Sequence, residues 1–129
     1  MTEQLEQNKA LVTQMFDEIW NKRQFDKIET FYAPNMVAGI QEFIGAHFAA
    51  FTDWQFIADI VIAERDLVAV RWRNTGTHQA EYWGIQASGR RIMFEGISLL
   101  RIADGKIIHD EAQWDEPAIR QQLNGEVKG

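Results

Sequence analysis

From Trp54 to Asp115 the chain is a succession of apolar, β-branched runs cut by turn signals, and this limits its fold more than any other feature. Trp54 to Ala63 is the first run, ended by Glu64-Arg65-Asp66. In the second, Leu67 to Thr77, Val68, Val70 and Trp72 alternate with Ala69, Arg71 and Arg73. Alternation at period two marks a strand with one covered face. Gly76 to Gly84 and Arg91 to Ile102 follow as further strands, with a turn at Ser88-Gly89 between them. Asp104-Gly105 is a two-residue hairpin signal that opens a last strand running to Asp115.

The first third has a different period. Leu5, Val12, Met15, Phe16, Ile19 and Trp20 recur at spacings that put one apolar stripe on a helix from about Thr2 to Asn21. A shorter helix, Phe25 to Tyr32, is expected to stop at Pro34, because the residue before proline avoids helical geometry. Asn35 to Ile40 reads as a short connection before a third helix, Ile40 to Phe51. Beyond Asp115, Glu116 to Leu123 reads as a short terminal helix or turn, with Pro117 suited to a helix's first turn. Helices first and a meander of strands afterwards predict an α+β fold, with helices packed on one face of an antiparallel sheet. A long curved sheet closed by three N-terminal helices makes a cone that encloses a pocket. Five tryptophans spread over several elements suit its lining, a plain core, or a sheet-to-sheet dimer interface.

The 129 residues are expected to form a single domain spanning 1–129. The net charge is -6 with acids spread along the chain and no basic run, which argues against nucleic acid or an anionic membrane as partner. The absence of cysteine excludes disulfides, thiol nucleophiles and cysteine-ligated zinc. Met1 to Lys9 has no apolar run of the secretory kind, and no stretch reaches the roughly 18 apolar residues of a membrane span. A cytoplasmic protein is the expectation. His47, His78 and His109 lie too far apart in sequence for paired metal ligation on one element, so no metal is expected.

On the last strand, His109, Glu111, Gln113 and Asp115 fall on one face at period two. Facing a cavity, they would form a row able to carry or relay protons; facing water, they are a solvated strand. Buried, His109, Glu111, Gln113 and Asp115 would have to satisfy one another by hydrogen bonds. Asp115 also stands where an aspartate caps a following helix. His78, Trp83, Tyr32 and Trp20 are further candidates for ligand contact. His78 equally suits a turn, and Tyr32 and Trp20 equally suit a core.

Val68-Ala69-Val70-Arg71-Trp72, Gly76-Thr77-His78, Trp83-Gly84-Ile85, Ser88-Gly89-Arg90-Arg91, Gly96-Ile97-Ser98, Asp104-Gly105-Lys106-Ile107 and Trp114-Asp115 occur in this order along the second half. In this order and spacing the chain resembles the SnoaL-like polyketide cyclases of the nuclear-transport-factor-like superfamily. The resemblance implies a cone-shaped α+β barrel, dimeric through its sheet, with no metal or organic cofactor. It also implies a small-molecule substrate and an aspartate at the end of the last strand as acid/base in an aldol closure. Asp115 matches that place, with His109 as a second proton carrier and Gln113, Glu111, His78, Trp83, Tyr32 and Trp20 around the substrate. The function implied is a cofactor-independent cyclase or isomerase. The alternatives are a non-catalytic small-molecule-binding or dimeric scaffold domain and, ranked lower, epoxide-hydrolase-like activation of water. The last of these calls for an Asp-Arg-Asp arrangement, and no Arg-x-Asp occurs in the chain.

Overall fold

The computed structural model describes residues 2–125; Met1 and residues 126–129, which the single-domain expectation included, lie outside the described residues. The architecture is α+β. Four antiparallel strands, β1 (Gln55–Glu64), β2 (Leu67–Thr77), β3 (Arg91–Ala103) and β4 (Lys106–Trp114), follow one another as a curved, unclosed meander. Helices α1 (Thr2–Met15), α2 (Ile28–Phe31) and α3 (Pro34–Ala50) belong to the N-terminal part that covers one sheet face. Helix α4 (Glu116–Leu123) contacts β3.

The core follows the alternation of β2. Val68, Val70, Trp72, Asn74 and Gly76 point inward, and Arg71 points out. Val12, Met15 and Ile19 from the N-terminal stripe pack against this face with Phe51, Leu100 and Ile107, all at or near zero exposure. Gly96 of β3 has no room for a side chain, because an added Cβ would lie 2.7 Å from the Trp72 ring. That close approach lets the indole lie across β3, where its Nε1–H donates to Ser98 Oγ at 2.9 Å.

Several expected elements differ from those observed. The first helix changes at Phe16 to a π-helical segment, Phe16–Asn21. Asn21 at its end donates to the Phe56 carbonyl at 3.0 Å and accepts the Phe56 N–H at 2.7 Å, so it pins the segment to the edge strand β1. The second helix is a 3-10 turn, Phe25–Lys27, leading into α2. The helix stops before Pro34 as expected, with Tyr32 and Ala33 extended, and Pro34 itself begins α3 at a position where its missing N–H costs nothing. Asn35 to Ile40, expected as a connection, is therefore helical. The expected strand Gly76 to Gly84 ends with β2 at Thr77. Beyond it, Tyr82 and Ile85 bridge across a two-residue turn, with Trp83 at φ 52° and Gly84 at φ 78°. Two left-handed residues make a hairpin turn of this kind. Asp104-Gly105 forms the same kind of turn where it was expected, with φ 52° and 72°.

Two irregularities reset the phase of the sheet. On β1 the pairing with β2 shifts between Ala58 and Ile60, so that Phe56 faces inward before it and Val61 and Ala63 after it. On β4, Ile107 pairs with Ile102 and His109 with Arg101, leaving Ile108 as an unpaired bulge residue. A bulge adds one residue to one strand and so exchanges the faces on either side of it.

Candidate functional site

The bulge at Ile108 decides what the last strand presents. Ile107 is fully buried, and unbroken alternation from it would carry His109, Glu111 and Gln113 inward. With Ile108 extra, Asp110, Ala112 and Trp114 turn inward, while His109, Glu111 and Gln113 are exposed on the outer face. His109 Nε2 lies 3.7 Å from Glu111 Oε1 in that outer row. Asp115 is exposed as well, and its Oδ1 accepts the Ala118 N–H at 3.1 Å as the N-cap of α4. None of the four lines a cavity on the inner face. The expected mutual hydrogen bonding of a buried row is thereby corrected, because these groups meet water.

The inner face does carry a cavity, of about 90 Å³. Its walls are aromatic, with Phe16 and Trp20 from the π-helical segment, Phe43 from α3, and Trp72 and Trp114 from the sheet. The polar lining consists of Tyr32, His47, Asn74, Ser98 and Asp110, together with the edges of Trp54 and Tyr82. Tyr32 and Trp20 both line it. His78 and Trp83 do not line this cavity. His78 is fully buried at the end of β2, where its Nδ1 accepts the Ser88 backbone N–H at 3.2 Å. Trp83 sits in the left-handed turn with the Arg120 guanidinium 4.9 Å above its ring.

Asp110 and Tyr32 form a hydrogen-bonded pair. The backbone of Tyr32 bridges to Ile107, and the Ala33 N–H donates to the Ile107 carbonyl at 2.9 Å. This anchors the α2–α3 junction just before the bulge, and the bulge then turns Asp110 toward the Tyr32 hydroxyl, which donates to Oδ2 at 2.9 Å. Burial pushes the Asp110 carboxyl above the ordinary aspartate range, with the Tyr32 hydrogen bond and the His109 charge pulling it back in part. Burial, together with the Asp110 charge, holds the Tyr32 phenol well above its usual value. A carboxyl raised in this way, in an aromatic cavity, suits proton transfer better than a solvated one.

His47 lies on α3 among aromatic rings, the nearest being Trp54 at 4.0 Å between centroids. Burial lowers its pKa to about 3, so it is neutral at ordinary pH. Sequence reasoning passed over His47, Asn74 and Asp110 as site residues. Asn74 was legible as the one amide in the inward row of β2; His47 and Asp110 needed the packing. Among the described residues no three histidine or acidic side chains gather as a metal site would require, and no helix is long and apolar enough to cross a membrane.

The SnoaL-like polyketide cyclase family model matches residues 10–123. Among solved structures, a putative hydroxylase, AclR, from Streptomyces galilaeus is 26% identical, with a TM-score of 0.84 over 94% of this chain and 83% of that one. A putative SnoaL-like polyketide cyclase from Jannaschia sp. CCS1 has a TM-score of 0.85 at 22% identity, over 92% of each chain. A putative polyketide cyclase from Acidithiobacillus ferrooxidans has a TM-score of 0.82 at 23% identity, over 94% of this chain and 96% of that one. No curated protein matches the chain. With the family model spanning all but the ends of a chain that also carries the curved sheet and the inner cavity, this protein belongs to the SnoaL-like polyketide cyclase family.

Proposed function

We propose that the inner cavity is the active site of a cofactor-independent enzyme of cyclase or isomerase type, in which Asp110 moves a proton at a carbon next to a carbonyl. The observation that carries this reading is the Asp110–Tyr32 pair. Among the described residues it is the one place where a carboxyl with a raised pKa, held by a hydrogen bond, lines an aromatic cavity. As the carboxylate, Asp110 accepts the proton from carbon; as the acid, it returns one to the enol or to a new carbon–carbon bond's alkoxide. Tyr32 orients the carboxyl and keeps one oxygen occupied, leaving the other for the substrate. The acid/base role expected of Asp115 passes to Asp110 in this reading, because Asp115 is committed to the α4 N-terminus.

A substrate with several fused rings would have to displace side chains to enter about 90 Å³. Phe43, 49% exposed at the rim, is the residue with room to move. Water activation of the epoxide-hydrolase kind has less support, since no arginine lines the cavity. The outer sheet face, with Ile60, Ile62 and Ile97 exposed, fits the expected homodimer through the sheet.

The test uses acetophenone in deuterated buffer. The wild-type protein is expected to exchange the methyl hydrogens next to the carbonyl faster than buffer does, and Asp110→Asn is expected to lose that excess. Undiminished exchange by a folded Asp110→Asn would end the assignment and leave a binding module as the better reading.

A further inference from the structure

Burying a polar group without a partner costs about 1–3 kcal/mol, so such groups in a folded protein call for an explanation. Among the described residues, five buried side-chain atoms have no partner, and three belong to cavity residues: His47 Nε2, Trp54 Nε1 and Asn74 Oδ1. Asn74 is the clearest case. It sits in the inward row of β2 at 5% exposure, between Phe56 of β1 and Phe94 of β3. A leucine there would keep the branched shape without an amide to desolvate.

His47 complements it. Its Nδ1 lies 3.4 Å from the Tyr82 hydroxyl. The Tyr82 hydroxyl donates to Nδ1 in one tautomer of the neutral imidazole and accepts from Nδ1–H in the other; the first suits a cavity that already offers Asn74 Oδ1 as an acceptor. A neutral imidazole that accepts at Nδ1 carries its hydrogen on Nε2. The orphan Nε2 is then a donor, and the orphan Asn74 Oδ1 is an acceptor. Both belong to one end of the cavity: Asn74 is the cross-strand partner of Phe94, and the His47 ring lies 5.7 Å from the Phe94 ring. Asp110 belongs to the other end, opposite Leu100, which is six positions beyond Phe94 on β3 (100 minus 94). Six residues of extended strand are about 20 Å along the backbone, which puts the two groups on different parts of the inner face.

We infer that His47 and Asn74 form a recognition end of the cavity, distinct from the Asp110 end, that takes a hydroxyl group carried on a flat ring. A hydroxyl both donates and accepts, so one group satisfies Asn74 Oδ1 and His47 Nε2–H together, and the aromatic walls take the ring. The inference rests on the cavity being the ligand site of the proposed function, but not on Asp110 moving a proton. It makes these two residues determinants of which substrate is held and in which direction it lies.

Phenol and toluene test this, because they differ by a hydroxyl for a methyl at nearly equal volume. Affinities are read from titrations of the Trp54 indole and His47 ring signals by NMR. Wild-type protein is expected to bind phenol about tenfold tighter than toluene, the worth of one to two buried hydrogen bonds. Asn74→Leu and His47→Phe are each expected to bring the two affinities together. Asn74→Leu is also expected to raise the melting temperature, which a residue kept for structure would not do. Asp110→Asn is expected to keep the phenol preference even where it abolishes proton exchange, so the two readings fail separately. Equal affinities in the wild type, which is also the result of a pocket satisfied by water alone, would overturn the inference without any variant. So would a preference that survives either replacement, or one lost with Asp110.

Discussion

Of the titratable groups that line the cavity, His47 and Asp110 act on stability with opposite signs. The His47 value falls to about 3 in the folded protein, so between there and 6.5 the unfolded chain binds the extra proton. Its contribution is therefore present above pH 6.5 and lost as pH falls, at up to about 1.4 kcal/mol per pH unit. Asp110 has a folded value raised above 3.8. Its contribution is full below the unfolded value and lost as pH rises through the folded one. Where the windows overlap, the two slopes offset each other in the wild type. Asp110→Asn is expected to expose the His47 slope, with stability rising more steeply with pH, and to exceed wild-type stability at neutral pH. His47→Phe is expected to leave the Asp110 slope, with stability falling as pH rises above 4. Urea denaturation at several pH values measures both, and parallel curves for all three proteins would show that neither group carries the shift.

At the scale of elements, β4 is the strand on which the site depends. Its course is set by Ile107, which is buried and bridged to Tyr32, and by Trp114, which pairs with Gly96 beside the Trp72 ring. Between these anchors the bulge at Ile108 supplies the residue that lets both face inward. Deleting Ile108 forces a choice: either Ile107 leaves the core or the Asp110–Trp114 row turns out. We expect the deletion to cost on the order of 4 kcal/mol or to abolish cooperative unfolding, because buried apolar groups are lost and polar ones gained on the inner face. A deletion variant with wild-type thermal stability would mean that the phase of β4 is set elsewhere. Elements governed by local chemistry were legible to the residue: Leu67–Thr77 and the Asp104-Gly105 turn stand where alternation and turn preference put them, and Glu116–Leu123, open between helix and turn, is the helix. The π-helical segment and both bulges were not legible. They answer to partners distant in sequence, such as Phe56 for Asn21 and Tyr32 for Ile107.

For the molecule as a whole, the curved sheet has one face under the helices and one face bare. On the bare face Ile60 pairs with Arg71, Arg71 with Ile97, and Ile97 with Gln113, so isoleucines at 55% and 50% exposure alternate with long polar side chains. Apolar surface of that kind is expected to be covered by a second copy of the chain. Sedimentation velocity should find a dimer that Ile97→Glu converts to monomer; a wild-type monomer across the micromolar range would sink the expectation. By itself, the amino-acid sequence determined the class of fold, helices before strands, the family, and that the last strand holds the acidic candidates. Those properties follow from periodicity, turn residues and motif order, all of which are local along the chain. Which acid enters the cavity was decided only in the tertiary structure. Side chains on a strand change faces with a shift of one residue, and the shift at Ile108 is imposed by what β4 packs against: Ile102 and Tyr32 before the bulge, Gly96 and Trp72 after it.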